Sequence, residues 1–591
     1  MQQKANSNKY YSLFIIIAVA LIVRLFFLRF EYAAGWDEIN YLKLGASGTI
    51  HGLNHVLHPY WSPFYPLTVA LMGKLFHNYE MAGRLVSILC GTLLILPVFG
   101  FSLKYFSQRI AIFNSLVIAF FPALIESSTA AETEPLYILL AITGILFGFY
   151  VLNQKSIFGA AIVGILFAFA YLTRPEGIGL YFVFSGIIFC VALFEIVKYH
   201  RFKSALLLII VTLGFFITSS PYLIYLKKVT GQWTISSKGA ANLQGEISVM
   251  ENAAKSNGLN PWLMLSKDNT TLPDDDIYHT GEFLKKYHRS LDNEETSKEQ
   301  KIVSVTPFLI VKKFLKNFLR VLKEGISQVL GLPILALIIL GLWGKAWDRK
   351  RAMRDGYLLA FVGFFWFILV PMFHFTERYM LPMVPVVLMW SGVGIDYLSD
   401  WFEKTWASFT LKIKNDKHGI FKTVFILSFI GSLFIPIYIR MIVRNPFEAT
   451  EWAEPVEQKK AGLWLKNYCG DKIPVVMSWS HAVSFYAGNY NIKQSITIPH
   501  NDLERALAYA KYRGAGFLAL NEKNKTSFPT INYLLDENQA PPELKLIYKD
   551  DSIAGLKTLI YEIIFENDEA IYYKDAGTQS QIKHSVSAPL R

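Results

Sequence analysis

The chain is poor in charge and poorer in cysteine. Only 18% of its 591 residues are Asp, Glu, Lys or Arg, against roughly 25% in an ordinary soluble domain. That shortage excludes a wholly water-exposed fold and assigns much of the chain to lipid. Its three cysteines, Cys90, Cys190 and Cys469, lie far apart, and two fall inside apolar runs. They support neither a disulfide framework nor a Cys-based metal site. No internal repeat or low-complexity tract is present, and the last 150 or so residues contain no phosphate loop, metal-ligand spacing or nucleophile elbow. The formal net charge of +12 would suggest nucleic acid in a soluble protein. Here the cations collect in short loops between apolar runs, which is a topology signal instead.

What is abundant is apolar sequence. Runs long enough to cross a bilayer, about 20 residues as helix, recur near 11–30, 81–103, 110–127, 134–153, 157–173, 177–197, 204–226, 325–346, 356–373, 379–397 and 422–442. About eleven spans are expected. The first has no small-residue cleavage pattern after it and reads as a retained signal anchor. The run 62–76 is shorter and reads as a re-entrant or interfacial helix. With the N-terminus in the cytoplasm, alternate loops hold Lys104 and Arg109, then Lys155, then Lys198, Arg201 and Lys203, then Lys345 to Arg354, then Lys404 to Lys422. The intervening short loops carry Glu126, Glu132, Glu134, Arg174, Glu176, Glu377 and Arg378, with far fewer cations. This positive-inside pattern predicts an integral multi-pass protein, and a bacterial or archaeal plasma membrane is its expected location.

Three larger pieces then face outward. The loop 31–80 is the first, and the polar stretch 227–324 is the second. The latter ends in "TPFLIVKKFLKNFLRVLKEG", the pattern of a basic amphipathic helix in the interface. The third piece, 445–591, alternates β-rich runs ("IPVVMSW", "GFLALNE", "TLIYEIIFE") with the helical "NDLERALAYAKYRGA". It predicts a small α/β extracytoplasmic domain after a membrane domain spanning 1–444.

The chemistry is expected on that outer side. Arg24 lies late in the first span, and "GWDEINYLKLG" follows with Asp37 and Glu38. Arg84 opens the next full span, "AAETEPLYILL" brings Glu132 and Glu134, "YLTRPEG" brings Arg174 and Glu176, and "FHFTERYMLP" brings His374, Glu377 and Arg378. Each has a plain structural explanation. Asp37 and Glu38 could be a solvated flank, Arg24 and Arg84 could snorkel, and Arg174 and Arg378 could pair with Glu176 and Glu377. Glu132 and Glu134 could serve a helix N-terminus. Five such loops on one face, opposite lysine-rich ones, favour a site. Arginine forks bind a lipid phosphate bidentately and keep their charge when buried. A carboxylate could take the proton of an acceptor hydroxyl as it attacks an anomeric carbon, and a single displacement inverts that carbon.

These residues resemble a known group. "VRLFFLRFEYAAGWDEINYLKLGA" is similar to the first-span signature of GT-C fold glycosyltransferases, in the branch of the dolichyl-phosphate-mannose–protein mannosyltransferases and bacterial aminoarabinose transferases. "GRLVSILCGTL", "ETEPLYILL", "AYLTRPEGIGL" and "ERYMLPMVP" resemble later motifs in the same order, and "HAVSFYAGN" resembles the outer domain of bacterial members. The resemblance implies a polytopic α-helical GT-C-like fold. It also implies an inverting transfer from a dolichyl- or undecaprenyl-phosphate sugar to a hydroxyl of a protein, lipid or glycan. Asp37 would be the base, with Glu38 and Glu134 orienting sugar or acceptor. Arg24, Tyr41, His58, Arg84, Arg174, Glu176, Arg378 and Tyr379 would contact substrate. The chain reads "HPYWSPFYP" where the family often has "HPP", so its donor pocket departs there. Some members hold a divalent cation and others need none. Asp37, Glu38 and Glu134 could serve either chemistry, which leaves the metal open.

Two alternatives stand beside the transferase. A transporter or flippase of lipid-linked sugars would place its ionisable groups at mid-membrane on repeat-related broken helices. An oligosaccharide polymerase or ligase would use bases in a large late loop, where only His279 and His288 offer themselves. The sequons at 269–271 and 524–526 fall on the outer side and would matter in a host that N-glycosylates.

Overall fold

The computed structural model describes residues 2–236, 238, 307–373, 375–409, 431–432, 434–445, 447–448, 453–499, 503–565 and 572–573. Two compact units result, a helical one ending at Asn445 and a smaller one that takes up the chain from Pro446.

Among the described residues of the helical unit, seven helices are long and apolar enough to cross a membrane. They are Tyr11–Phe30, Tyr79–Tyr105, Glu134–Gln154, Pro175–Tyr199, Lys203–Thr230, Arg349–Met372 and Glu377–Phe402. Two bent pairs raise the number to nine. The expected span 110–127 is one of them: Gln108–Phe120 and Pro122–Thr129 meet at 52°. Phe121, forced out of the helical region by the proline after it, sits extended at ψ 118°. The expected span 325–346 is the other. Pro307–Leu330 and Leu332–Trp343 meet at 101°, across Gly331 at φ +74° with Pro333 behind it. The count of eleven treated these breaks as continuous helix. Ile157–Thr173 and Phe64–Gly73 are shorter apolar helices, and of the last expected span the described part is Phe434–Val443.

The helix Pro307–Arg320 forms where the amphipathic pattern predicts it. Phe308, Val311, Leu315 and Leu319 are exposed, whereas Lys313 and Asn317 are buried. Asn317 Nδ2 donates to the carbonyl of Pro371 at 3.2 Å. An outward apolar face of this kind suits a lipid interface. Residues 237 and 239–306, with His279, His288 and the first sequon, lie outside the described residues, as does His374.

Two short elements set up the first loop. The helix Trp36–His51 packs on Phe64–Gly73 so closely that a Cβ at Gly45 would come within 2.5 Å of Val69 Cγ1. The small residue in "YLKLG" therefore serves helix–helix contact. Gly177 closes the "TRPEG" turn against the backbone of Ala170 and Tyr171, leaving no room for a side chain.

The smaller unit begins with the helix Val456–Cys469 and adds β1 (Ile473–Pro474), β2 (Val476–Ser478), β3 (Phe517–Asn521), β4 (Leu544–Asp550), β5 (Thr558–Ile563) and β6 (Tyr572–Tyr573). The main sheet runs in the order β2-β3-β5-β4. β2 and β3 are parallel, with Val476 opposite Phe517, and the helix Leu503–Arg513 lies in their crossover. β5 is antiparallel to both neighbours. Alternate residues of β3 enter two cores, Leu518 and Leu520 on one face and Phe517 and Ala519 on the other. That is the period-2 signature of a strand covered on both sides. β4 was not anticipated: "LKLIYKD" is half exposed and has no clear apolar run.

Candidate active site

Asp37 and Glu38 occupy the first turn of the helix Trp36–His51, where the macrodipole favours negative charge. Their environments differ. Glu38 Oε1 accepts from the Gly35 amide at 3.2 Å, closing a capping box, and its Oε2 accepts from the Ala131 amide at 2.9 Å. It thereby ties the first loop to the entry of the helix Glu134–Gln154. Burial raises its carboxyl above the usual range, against the charge of Arg84 and the two amides. Asp37 keeps 36% of its side chain exposed, and its Oδ2 lies 3.4 Å from Arg378 Nη1.

Glu134 is fully buried and holds two arginines brought from distant parts of the chain. Arg174 Nη1 donates to its Oε1. Arg378 donates through Nε to Oε1 and through Nη2 to Oε2, the latter at 3.0 Å. Arg174 also reaches Glu176 at 3.2 Å and Thr133 Oγ1 at 3.3 Å, and its guanidinium lies 5.2 Å from the Tyr379 ring. Arg378 makes a longer contact, 3.5 Å, with Glu132. Burial pushes the Glu132 carboxyl well up, with Arg378 opposing and the neighbouring carboxylates reinforcing the shift.

Tyr41 is buried edge-on to Trp61 and Tyr65, at 5.0 and 5.8 Å between ring centroids. Its phenol is held well above its usual range by burial, then by the charge of Asp37. His58 is buried one step back. Its Nδ1 accepts the amides of Tyr60 and Trp61 at 3.1 and 3.2 Å, and its carbonyl accepts Tyr222 Oη at 3.0 Å. The histidine thus shapes the aromatic wall behind Tyr41.

The structure therefore brings together Asp37, Tyr41, Glu132, Glu134, Arg174, Glu176, Arg378 and Tyr379. Arg378 pairs with Glu134, Glu132 and Asp37, not with Glu377 as its neighbour in sequence would suggest. Arg84 sits beside the group, bound to Glu80 at 2.8 Å and to the Glu31 carbonyl at 2.9 Å. Arg24 is not brought in. It is buried and donates to the carbonyls of Ala20 and Ala119 at 3.2 and 3.3 Å. Among the described residues, no three His, Cys, Asp or Glu side chains are grouped to hold a metal ion. Of the trio considered for that role, Glu134 is engaged by guanidiniums and Glu38 by backbone amides.

One residue escaped the sequence reading. Lys238 lies over Trp61 at 4.4 Å and Tyr60 at 5.1 Å. Burial lowers its ammonium, while the charge of Asp37 opposes that shift. A single lysine opening a long polar stretch has no spacing to betray it.

Residues 58–225 match the family described as dolichyl-phosphate-mannose-protein mannosyltransferase. Among solved structures, the chain is similar to ArnT from Cupriavidus metallidurans bound to undecaprenyl phosphate. The identity is 12%, over 93% of this chain and 97% of that one, with a TM-score of 0.53. The apo state of the same ArnT gives a TM-score of 0.51. The oligosaccharyltransferase of Archaeoglobus fulgidus, tethered to an acceptor peptide containing an NVT sequon, gives 0.50, at 12% identity over 87% of this chain and 70% of that one. No curated protein matches. The fold is GT-C, shared with these solved proteins.

Proposed function

We propose that the protein transfers a sugar, with inversion, from a polyprenyl phosphate to an acceptor hydroxyl on the outer face of the membrane. The observation that carries this is the division of labour between two carboxylates. Glu134 is buried and saturated by Arg174 and Arg378, whereas Asp37 is a third exposed and touches Arg378 at 3.4 Å. Only Asp37 is placed to accept a proton. In the step envisaged, the acceptor oxygen bonds to the anomeric carbon as its proton passes to Asp37. The bond from that carbon to the phosphate oxygen breaks, and the lipid phosphate leaves with the electron pair. Arg378 and Arg174 stabilise the charge it takes away. Glu134 positions these arginines, Glu38 fixes the loop bearing Asp37, and Tyr41 lines the wall beside it.

The outer-face assignment rests on the basic loops that alternate along the chain, and the C-terminal residues 445–591 are assigned to the same side. ArnT bound to undecaprenyl phosphate supports a donor of that class, and the peptide-tethered oligosaccharyltransferase makes a protein acceptor the first to try. The test is to incubate detergent-purified protein with a panel of polyprenyl-phosphate sugars and candidate acceptors, following free lipid phosphate. Release that depends on an acceptor is expected. Movement of intact lipid-linked sugar across proteoliposomes, without release, would establish the transporter instead.

A further inference from the structure

The helix Pro307–Arg320 and its continuation to Leu330 carry charges that the proposed reaction does not use. Their exposed side chains form two neighbouring stripes. Phe308, Val311, Leu315, Leu319 and Leu322 make the first. Lys312, Lys316, Arg320 and Lys323 make the second. Members of each stripe recur every three or four residues, the spacing of one helix face. Each cation follows an apolar residue directly in sequence, which sets the stripes side by side, about 100° apart around the helix.

The remaining side of the helix is its seat. Lys313, Asn317 and Val321 are buried there, and Arg320 lies 4.5 Å over the ring of Phe375. A Cβ at Gly325 would come within 2.8 Å of Met380 Sδ. The helix therefore rests on the segment that bears Arg378, at the same end of the bundle as the acid–arginine cluster. Its direction follows from the bend behind it. Leu332–Trp343 packs along the spanning helix Glu377–Phe402, with Gly341 against the carbonyl of Trp390 and Gly394 against that of Leu337, and neither glycine has room for a Cβ. Pro307–Leu330 leaves that direction at 101°. A helix at right angles to a span runs along the membrane surface, with one stripe on the acyl chains and the next level with the headgroups.

The apolar stripe calls for lipid, and the cations identify the headgroup. Lys312, Lys316 and Lys323 make no ion pair among the described residues. Glu324 is the one acid between 307 and 330. A zwitterionic headgroup offers four cations no net counter-charge, whereas each Lys or Arg beside an anionic surface strengthens association about fivefold. An acidic protein could reach these cations only past the bilayer that holds the adjoining stripe. We propose that Lys312, Lys316, Arg320 and Lys323 form a binding site for the phosphate headgroups of anionic phospholipids, in the leaflet on the cluster's side of the membrane. The site is separate from the cluster and independent of the reaction assigned to it.

The test places the full-length protein in nanodiscs with a trace of phosphatidylglycerol or phosphatidylcholine carrying a photoreactive headgroup, and maps the crosslinked peptides. Phosphatidylglycerol should label 308–323 about fivefold or more over phosphatidylcholine, and added salt should reduce the difference. Lys312→Gln, Lys316→Gln and Lys323→Gln combined, all at exposed positions, should bring the two lipids level at the helix. Melting should be unchanged, as should labelling of the basic loop Lys345–Arg354 beyond the far end of Leu332–Trp343. Asp37→Asn should label as the wild type does, which keeps this site apart from the catalytic one. Equal labelling of the helix by both lipids, no labelling of it, or an unaltered preference in the folded triple variant would overturn the proposal. Displacement of phosphatidylglycerol from the helix by soluble poly-glutamate would also overturn it, in favour of an acidic protein.

Discussion

Asp37→Asn separates catalysis from structure because the two effects expected of it differ so much in size. The side chain is 36% exposed and makes one long ion pair, 3.4 Å to Arg378. Exposed pairs of this kind contribute about 0–1 kcal/mol, and Arg378 keeps Glu134 and Glu132 as partners. Folding and membrane insertion should therefore be nearly unaffected. A positioned general base contributes about 10²–10⁴ in rate, or roughly 2.7–5.5 kcal/mol of barrier. The asparagine variant should accordingly lose two to four orders of magnitude in kcat while its melting temperature stays close to wild type. Its donor KM should stay level or fall, since neutralising Asp37 removes a competitor for Arg378. Steady-state kinetics on melting-matched, detergent-purified protein decides the matter, with Asp37→Ala as a second variant. A kcat within a few-fold of wild type for either one would refute the base assignment.

Glu134→Gln should behave in the opposite way. It takes from buried Arg174, and from Arg378, a third exposed, the carboxylate they share, leaving Glu176 on the one and Glu132 and Asp37 on the other; breaking a buried ion pair from one side costs about 3–5 kcal/mol. A large drop in melting temperature along with lost activity is expected, and an unchanged melting temperature would show that the clamp is not structural. Glu132→Gln tests the buried acid. Because burial raises its carboxyl above the ordinary value of 4.5, its stabilising share is complete below that value and is lost as pH rises through the raised one. The glutamine cannot ionise, so the variant should gain on wild type over the window that opens as pH rises above 4.5 in thermal melts. A difference that is flat across that window would contradict it.

The order of elements was legible because each motif sits beside an apolar run whose length is set by the bilayer. The breaks were less so. Pro122 and Gly331 both lie inside apolar stretches, and a hydropathy run does not distinguish a straight helix from one bent by 52° or 101°. Partner choice was the harder gap. "TERYM" offers Glu377 as the neighbour of Arg378, and only the packing of helix ends shows Glu134 reaching it across 244 positions. Arg24 looked like a member of the outer cluster from its place late in the first span, yet it serves backbone carbonyls instead. Lys238 gave no signal at all.

The charge balance of the cluster adds a constraint that position along the chain could not supply. Glu134 and Glu176 engage Arg174, and Glu134, Glu132 and Asp37 all face Arg378. The arginines of the cluster are therefore matched by acids, and an entering phosphate gains little unless it replaces one of them. Glu134 is buried and bound to both arginines, so displacing it would break two ion pairs at once. Glu132 makes only the longer contact, 3.5 Å, and its carboxyl is raised by burial, which weakens it as a competitor. Asp37 is the most exposed of these acids and is held at 3.4 Å, so it is the partner most cheaply displaced. A phosphate taking its place on Arg378 would release the carboxylate proposed as the base. Donor binding and base release would then be a single event, which is why neutralising Asp37 should abolish turnover without weakening the donor.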